Sequence, residues 1–313
     1  LDTIAVLLRE PERLELGRVD IVAPGDTDVV VDVDWSGIST GTERLLWEGR
    51  MPHFPGMGYP LVPGYESVGR IAMAGRQSGH REGDRVFVAG ARCFAQVRGL
   101  FGAAAARLVV PGPRATVIDP ALGERGILLA LAATAQHALA APGARLPELI
   151  VGHGVLGRLI ARITVAIGGP PPIVWERNPQ RQEGAEGYCV CDPSDDSRND
   201  YAAIYDASGD ATLLPSLITR LAAGGEVVLA GFYAEPLTFP FVPAFMREAR
   251  LRVAAEWQPA DMQSVINLLA EGRLNLDGLI SHRERAHRAP SAYRTAFTDP
   301  NCLKMILEWS ANA

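Results

Sequence analysis

The sequence predicts an α/β protein in which a doubly wound parallel sheet follows a strand-rich first domain, and three observations predict it. Residues 149–167, LIVGHGVLGRLIARITVAI, join a short apolar run to a glycine turn and then to an amphipathic stretch. Strand-like and helix-like segments alternate from there to about residue 255. Before residue 120, in contrast, β-branched and apolar runs are separated by breakers such as PGDTD and GHREGD, with no helical period of useful length.

In the first domain, the runs at 4–8, 29–35, 68–73 and 85–88 read as strands. Between 45 and 63 the chain carries Trp47, Met51, Phe54, Met57 and Tyr59 among four prolines and three glycines, which makes a stiff, irregular loop. A loop of that length is more often functional than accidental, and its large side chains suit a flat hydrophobic ligand; covering a core is the alternative. From residue 122, LGERGILLALAATAQHALAA has the Leu and Ala content of a helix buried on most sides and marks the passage into a second domain.

The boundaries expected are 1–121, 122–255, and a segment 256–313 that returns to the first domain. Strands at 149–151, 173–175, 188–190, 204–206, 226–232 and 251–254 make a complete six-stranded dinucleotide fold with right-handed crossovers. A helix with Leu213, Leu214, Leu217, Ile218 and Leu221 on its apolar face is expected to stop at Gly224 and Gly225. The final segment reads as a helix around 262–269, a short strand at 277–280 and a helical tail over 292–307.

Gly152, Gly154 and Gly157 fit G-x-G-x-x-G, with His153, Val155 and Leu156 at the intervening positions. The first glycine permits the tight turn, the second lets backbone N–H groups approach a pyrophosphate, and the third lets the helix pack close to the strand. His153 is expected to face solvent or a phosphate. Glu176 ends the next apolar run, 24 residues after Gly152, where a carboxylate binds ribose hydroxyls and repels a 2′-phosphate. NAD is therefore preferred over NADP, although Arg177 beside it could accept that phosphate.

Hydrophobic residues at 48%, charged residues at 21% and a net charge of −6 describe ordinary globular material without the basic footprint of a nucleic-acid or acidic-lipid binder. No basic start with an apolar core and no run near the ~18 apolar residues of a membrane span is visible, so a cytoplasmic protein is expected. Cys93, Cys189, Cys191 and Cys302 lack C-x-x-C spacing and read as reduced thiols, with Cys189 and Cys191 as small buried hydrophobes on one strand face.

SerGlyIleSer at 36–39, GlyThrGlu at 41–43, ProGlyTyrGlu at 63–66, GlyAspArgVal at 83–86, LeuValValPro at 108–111, ThrAla at 134–135 and the Gly152 turn occur in the order in which the medium-chain dehydrogenase/reductase superfamily carries them. The chain resembles that superfamily. The resemblance implies a GroES-like catalytic domain followed by a Rossmann domain, hydride transfer with a nicotinamide cofactor, and cofactor contacts from Thr134, Ser208 and Gly231. WSGISTGTERLLWEGRMPHFPGMGYPLVPGYE, LAGFYAEP and VAAEWQPAD resemble its bacteriochlorophyllide-oxidising branch more closely. That implies NAD-dependent conversion of a 3-(1-hydroxyethyl) group to 3-acetyl, with a tetrapyrrole contacted by Trp47, Met51, Phe54, Met57 and Tyr59.

Zinc-dependent members place Cys where this chain has Ser39, His where it has Tyr65 and a further Cys near Ala130; only Glu66 stands. One carboxylate beside hydroxyls lacks the three ligands that a catalytic zinc requires, so no metal is expected. Alcohol oxidation then needs a base or a polarising hydrogen-bond partner, and Ser39, Thr42, Tyr65 and Glu66 are the candidates. A Tyr65 phenolate would need a neighbouring positive charge. His137, three residues after Thr134, reads as a satisfied helix histidine. A homodimer is compatible with this reading. A zinc-free quinone or enone reductase and a non-catalytic pigment-binding protein on the same fold are the alternatives.

Overall fold

The computed structural model describes residues 1–53 and 55–309, and the chain divides into two units, Leu1–Ala130 with the stretch from Leu279, and Leu131–Gly278. The first contains β1 (Asp2–Glu10), β2 (Arg13–Asp20), β3 (Asp28–Ile38), α1 (Thr42–Glu48), β4 (Leu61–Val62), β5 (Ser67–Ala74), β6 (Arg85–Val88), β7 (Arg98–Gly99), β8 (Arg107–Pro111) and β9 (Ala115–Val117). Helix α2 (Leu129–Ala140) crosses the junction. The second unit continues with β10 (Leu149–Val151), α3 (Val155–Ala166), β11 (Ile173–Trp175), α4 (Pro179–Gln182), β12 (Cys189–Cys191), β13 (Tyr201–Asp206), α5 (Leu214–Thr219), β14 (Leu221–Leu229), α6 (Phe241–Met246), β15 (Arg250–Val253) and α7 (Pro259–Ala270). The first unit is completed by β16 (His282–Arg285), α8 (Ala289–Thr298) and β17 (Met305–Glu308).

Strand β3 is the centre of the first unit. It pairs antiparallel with β5 along one edge, while its other edge is shared by β8 at the start and β17 at the end. Its apolar run, Val29, Val30, Val31 and Val33, enters the main core together with Ala289, Ala292, Tyr293, Ala296 and Phe297, which recur on α8 at helical spacing. Because β3, β5 and β17 are antiparallel, the end of β3 lies beside the start of the other two: Ile38 faces Met305, and Ser36 faces Ser67. Ser39, Glu66 and Lys304 therefore come to one end of the sheet. A second sheet, in the order β2-β1-β4-β7, carries the 45–63 loop at its side.

The second unit holds a six-stranded parallel sheet in the order β12-β11-β10-β13-β14-β15. The order reverses between β10 and β13, the position outside which dinucleotides bind in such sheets. Strand β15 is an open edge: Leu251 is 40% and Val253 73% exposed, and α6 beside it in the chain presents Phe241, Val242, Phe245 and Met246 to solvent. Among the described residues no helix is long and apolar enough to cross a membrane.

Several expectations are corrected. The junctions expected at 121/122 and 255/256 fall at 130/131 and 278/279. Residues 256–278 stay with the second unit because Asp261 bonds His137 and the Arg162 guanidinium donates to the carbonyls of Asn275 and Asp277. Helix α5 stops at Thr219, and Gly224 and Gly225 lie within β14, where they take up the register shift against β13 instead of ending a helix. The strand expected at 277–280 is displaced to β16, and the helical tail expected over 292–307 is helical as α8 to Thr298 and then gives way to β17: an apolar run such as MetIleLeu suits either state, and pairing with β3 decides. Strands β2 and β8 had no separate place in the sequence reading. Cys189 is exposed and Cys191 only partly buried, because β12 is an edge strand.

Gly69 lies where β5 crosses β3, and a Cβ there would sit 2.1 Å from the Asp32 carbonyl oxygen. Gly69→Ala is expected to cost about 2 kcal/mol or more in a urea titration, since backbone cannot yield as a flexible side chain does; an unchanged midpoint would contradict this packing.

Candidate functional site

In the first unit the site is a buried polar cluster. Lys304 Nζ donates to both oxygens of Glu66, at 2.9 and 2.8 Å, and its next nearest acceptor is the Ile38 carbonyl at 3.4 Å. Glu66 is 0% and Lys304 1% exposed. Burial raises the Glu66 carboxyl above its ordinary range, with the adjacent ammonium acting against that shift. A Cβ on Gly37 would lie 2.1 Å from Glu66 Oε2, so glycine is required for β3 to pass the carboxylate.

A second carboxylate lies beside this pair. Glu43, on the first turn of α1 and 1% exposed, accepts the backbone N–H of Ser39 at 3.0 Å and the hydroxyl of Tyr293 at 2.8 Å. Burial raises its carboxyl to about 7, opposed by those two hydrogen bonds, while Glu66 pushes it further up and Lys304 pulls it down. The Tyr65 hydroxyl donates to Ser39 Oγ at 2.7 Å, and Thr42 is a further hydrogen-bond partner of Tyr65. Burial, and then the negative charge of Glu66, raise the Tyr65 phenol well above its ordinary value. A Tyr65 phenolate would still need a neighbouring positive charge, because burial and the acidic groups Glu66 and Glu43 favour the protonated hydroxyl.

Ser39, Thr42, Tyr65 and Glu66, the four expected catalytic residues, are brought together, but Glu66 is sealed from solvent and turned to Lys304. Glu43, Tyr293 and Lys304 were missed. Glu43 stands inside the GlyThrGlu motif, and Lys304 is the single lysine among the chain's 30 basic residues, a compositional signal that could have drawn attention to it. Ala130, the third position at which zinc enzymes differ, is buried without a side-chain donor. Among the described residues no group of three His, Cys, Asp or Glu side chains could hold a metal ion.

The 45–63 loop turns its large side chains inward. Trp47, Met51, Met57 and Tyr59 pack against Leu8, Leu46, Leu61 and Leu100, and the Tyr59 hydroxyl donates to the Leu46 carbonyl at 2.5 Å. Trp47 also lies 5.6 Å from Phe297, ring to ring. These four partly buried residues cover a satellite core, as the alternative reading of the loop has it, and each keeps part of its surface exposed. Phe54 lies outside the described residues.

In the second unit the three glycines of the turn behave differently. Gly152 has φ 96°, a left-handed conformation that favours glycine. A Cβ on Gly157 would be 1.9 Å from the Gly152 carbonyl oxygen, whereas one on Gly154 would meet nothing within 4 Å, so the space over Gly154 is open. Val155 and Leu156 begin α3, whose free N–H groups face that space. Glu176 accepts the backbone N–H of His153 at 3.2 Å and that of Asn178 at 2.8 Å, which holds its carboxylate at the first turn. Arg177 is exposed. Ser208 donates to Asp206 at 2.6 Å on the turn facing Gly152, and Gly231 N donates to the Asp206 carbonyl at 2.9 Å. Thr134 is half-buried on α2. The glycine turn, Glu176, Ser208 and Gly231 lie together where the strand order reverses, and they offer the backbone donors and carboxylate that a dinucleotide uses.

His153 is corrected. Its ring is 0% exposed, with Nδ1 2.6 Å from the Arg181 carbonyl oxygen and Nε2 2.8 Å from the Tyr188 hydroxyl. Burial and the neighbouring Arg158 lower its pKa to about 4, so the ring is neutral and braces the cradle from behind. His137 bonds Asp261 at 2.8 Å, the satisfied histidine that was expected.

Glu43 sets a pH dependence whose sign is fixed by its raised value. The folded state holds this proton more tightly than the unfolded chain, so its contribution to stability is present below about 4.5 and is lost as pH rises through about 7. Glu43→Gln should flatten the fall in denaturation midpoint between pH 5 and pH 8; parallel profiles for parent and variant would remove Glu43 as its source.

Residues 25–119 match the alcohol dehydrogenase GroES-like domain. The structure resembles an Escherichia coli alcohol dehydrogenase complexed with the cofactor NADH, with a TM-score of 0.82, 21% identity and coverage of 98% of this chain and 99% of that one. It also resembles a Sinorhizobium meliloti dehydrogenase bound to NADP, with a TM-score of 0.81, 22% identity and coverage of 98% and 99%. The 2-desacetyl-2-hydroxyethyl bacteriochlorophyllide A dehydrogenase of Cereibacter sphaeroides is 58% identical over 99% of both chains. On that identity, the chain belongs to the family of the bacteriochlorophyllide A dehydrogenases, oxidoreductases of the medium-chain dehydrogenase/reductase superfamily.

Proposed function

We propose that the protein oxidises the 3-(1-hydroxyethyl) group of a bacteriochlorophyllide to 3-acetyl, with NAD as hydride acceptor and without a catalytic zinc. The observation that carries the substrate is the 58% identity over 99% of both chains to an enzyme named for it. NAD supplies an electrophilic nicotinamide carbon that accepts the hydride. Gly152, Gly154, Val155, Leu156 and Gly157, the His153 backbone, Glu176, Ser208, Gly231 and Thr134 would hold the cofactor. Glu176 favours NAD, since a carboxylate fixed at the first turn accepts ribose hydroxyls and repels a 2′-phosphate, while Arg177 points into solvent.

The donor set of the first unit does not fit a zinc ion. Ser39 Oγ is engaged by Tyr65, Glu66 is neutralised by an ammonium that would repel a divalent cation, and Ala130 offers no ligand. Ser39, Thr42 and Tyr65 are suited to orient the substrate hydroxyl and pass its proton along hydroxyl groups, because negative charge on Tyr65 is disfavoured. Glu66 acts as a positioning residue through Lys304. A cytoplasmic enzyme is supported by cysteine spacing that lacks a secreted disulfide framework, and a homodimer by the open apolar edge at Leu251 and Val253.

Purified protein with NAD and the hydroxyethyl pigment should form the red-shifted acetyl product after extensive EDTA treatment; loss of turnover restored by zinc would sink the metal-free reading. Glu176→Ala should lower the preference for NAD over NADP about tenfold or more, as expected when a charged hydrogen-bond partner is removed. A parent enzyme that uses both cofactors equally would contradict the role of Glu176. Size-exclusion with light scattering should give twice the chain mass, and Val253→Glu should shift it toward one; a parent of single-chain mass would rule the dimer out.

A further inference from the structure

Outside the polar cluster, the first unit has an open cavity of about 370 Å³ lined by Pro55 and Gly56 of the 45–63 loop and by Arg92, Phe94, Val97, Arg98, Gly99 and Leu100. Its chemistry is unusual for an exposed surface. Phe94, 9% exposed, and Leu100, 3% exposed, provide an apolar floor. Arg92 and Arg98 also line it, and among the described residues neither has a carboxylate within ion-pair distance, although the chain is acidic overall.

Arg98 is also held in place. Its Nη1 donates to the Met57 carbonyl at 3.0 Å, and its backbone N–H donates to the Pro60 carbonyl at 3.2 Å. A Cβ on Gly58 would lie 1.2 Å from Nη1, so the loop is open at that residue for the guanidinium to cross it. One hydrogen bond leaves most of the five guanidinium N–H donors unused. The cavity adjoins the polar cluster through the chain: Phe101, next to Leu100, meets the Tyr65 ring edge-on with centroids 5.6 Å apart.

We propose that this cavity is a carboxylate subsite that receives the free propionate arm of the tetrapyrrole, with Arg92 and Arg98 as charge partners and Phe94, Val97 and Leu100 under the adjoining edge of the ring. The proposal rests on the bacteriochlorophyllide reading for the identity of the ligand. A bacteriochlorophyllide combines a flat apolar ring with a propionate not esterified by a long alcohol, and the cavity offers both complements. At 370 Å³ it is at the small end of the roughly 300–1,000 Å³ of ligand sites, room for one edge of a macrocycle and its acidic arm, not the whole ring. Guanidinium and carboxylate can pair through two parallel hydrogen bonds, which fixes orientation as well as affinity. Recognition of the arm would therefore select the free acid over an esterified pigment and fix which edge of the ring faces Tyr65.

The test compares the hydroxyethyl pigment as free acid with its propionate methyl ester, by absorbance titration for binding and by NAD-dependent turnover for KM. The parent should bind the acid about tenfold more tightly than the ester. Arg92→Gln, at an exposed position without a partner, should reduce that preference to less than about twofold by weakening acid binding alone, and Arg98→Gln should do the same. Equal affinity of the parent for acid and ester, or an undiminished preference in both variants, would overturn the subsite while leaving any turnover of the pigment intact. Acid-selective binding that is lost in Arg92→Gln, without oxidation of the pigment, would leave the subsite standing and remove the proposed reaction instead.

Discussion

Glu66 and Lys304 are an ion pair taken almost wholly out of water, and the architecture of the first unit follows from keeping them paired. Removing such charges from solvent costs several kcal/mol per ion, and their attraction repays this only with close geometry and further hydrogen bonds. Here two oxygens of one group meet one nitrogen of the other. The pair requires Gly37 on β3, a C-terminal strand alongside β3, and the core beneath α8 that anchors that strand. An ammonium is a compact point charge, whereas a guanidinium is a wide planar fork. In a chain that otherwise uses arginine throughout, the one lysine is the residue that lies between the Ile38 carbonyl and Glu66.

This arrangement changes what the neighbouring residues can do. With Lys304 committed to Glu66, Glu43 is left as a buried carboxyl whose nearest partners are neutral, and its proton is held up to about neutral pH. Tyr65 then stands beside two acidic groups, which favour its hydroxyl over its phenolate. The cluster holds hydrogens in defined hydrogen bonds, and Ser39, Tyr65 and Glu66 are all engaged in that network.

The cradle of the second unit is braced by a different means. A neutral His153, the buried guanidinium of Arg158 and Tyr188 tie the first turn to the chain around Arg181 and Gly184, and the Glu176 carboxylate is held against the turn. A histidine with its pKa lowered to about 4 stays neutral through the physiological range and adds no charge where phosphates would lie.

The sequence by itself determined the parallel sheet, the glycine turn, Glu176, and the meeting of Ser39, Thr42, Tyr65 and Glu66. The first three rest on local spacing, because strand and helix periods and a turn that only glycine can form are written in neighbouring residues, and the last was implied by the resemblance to the superfamily. Tertiary structure alone decided the partner of Glu66, which is 238 residues away; the direction of the His153 ring; the inward packing of Trp47, Met51, Met57 and Tyr59; and the strand at residues 305–308. Each depends on what another part of the chain brings alongside. A carboxylate reads the same in sequence whether it faces a substrate, a metal or a lysine, and only the register of β3 with β5 and β17 settles which of these it meets.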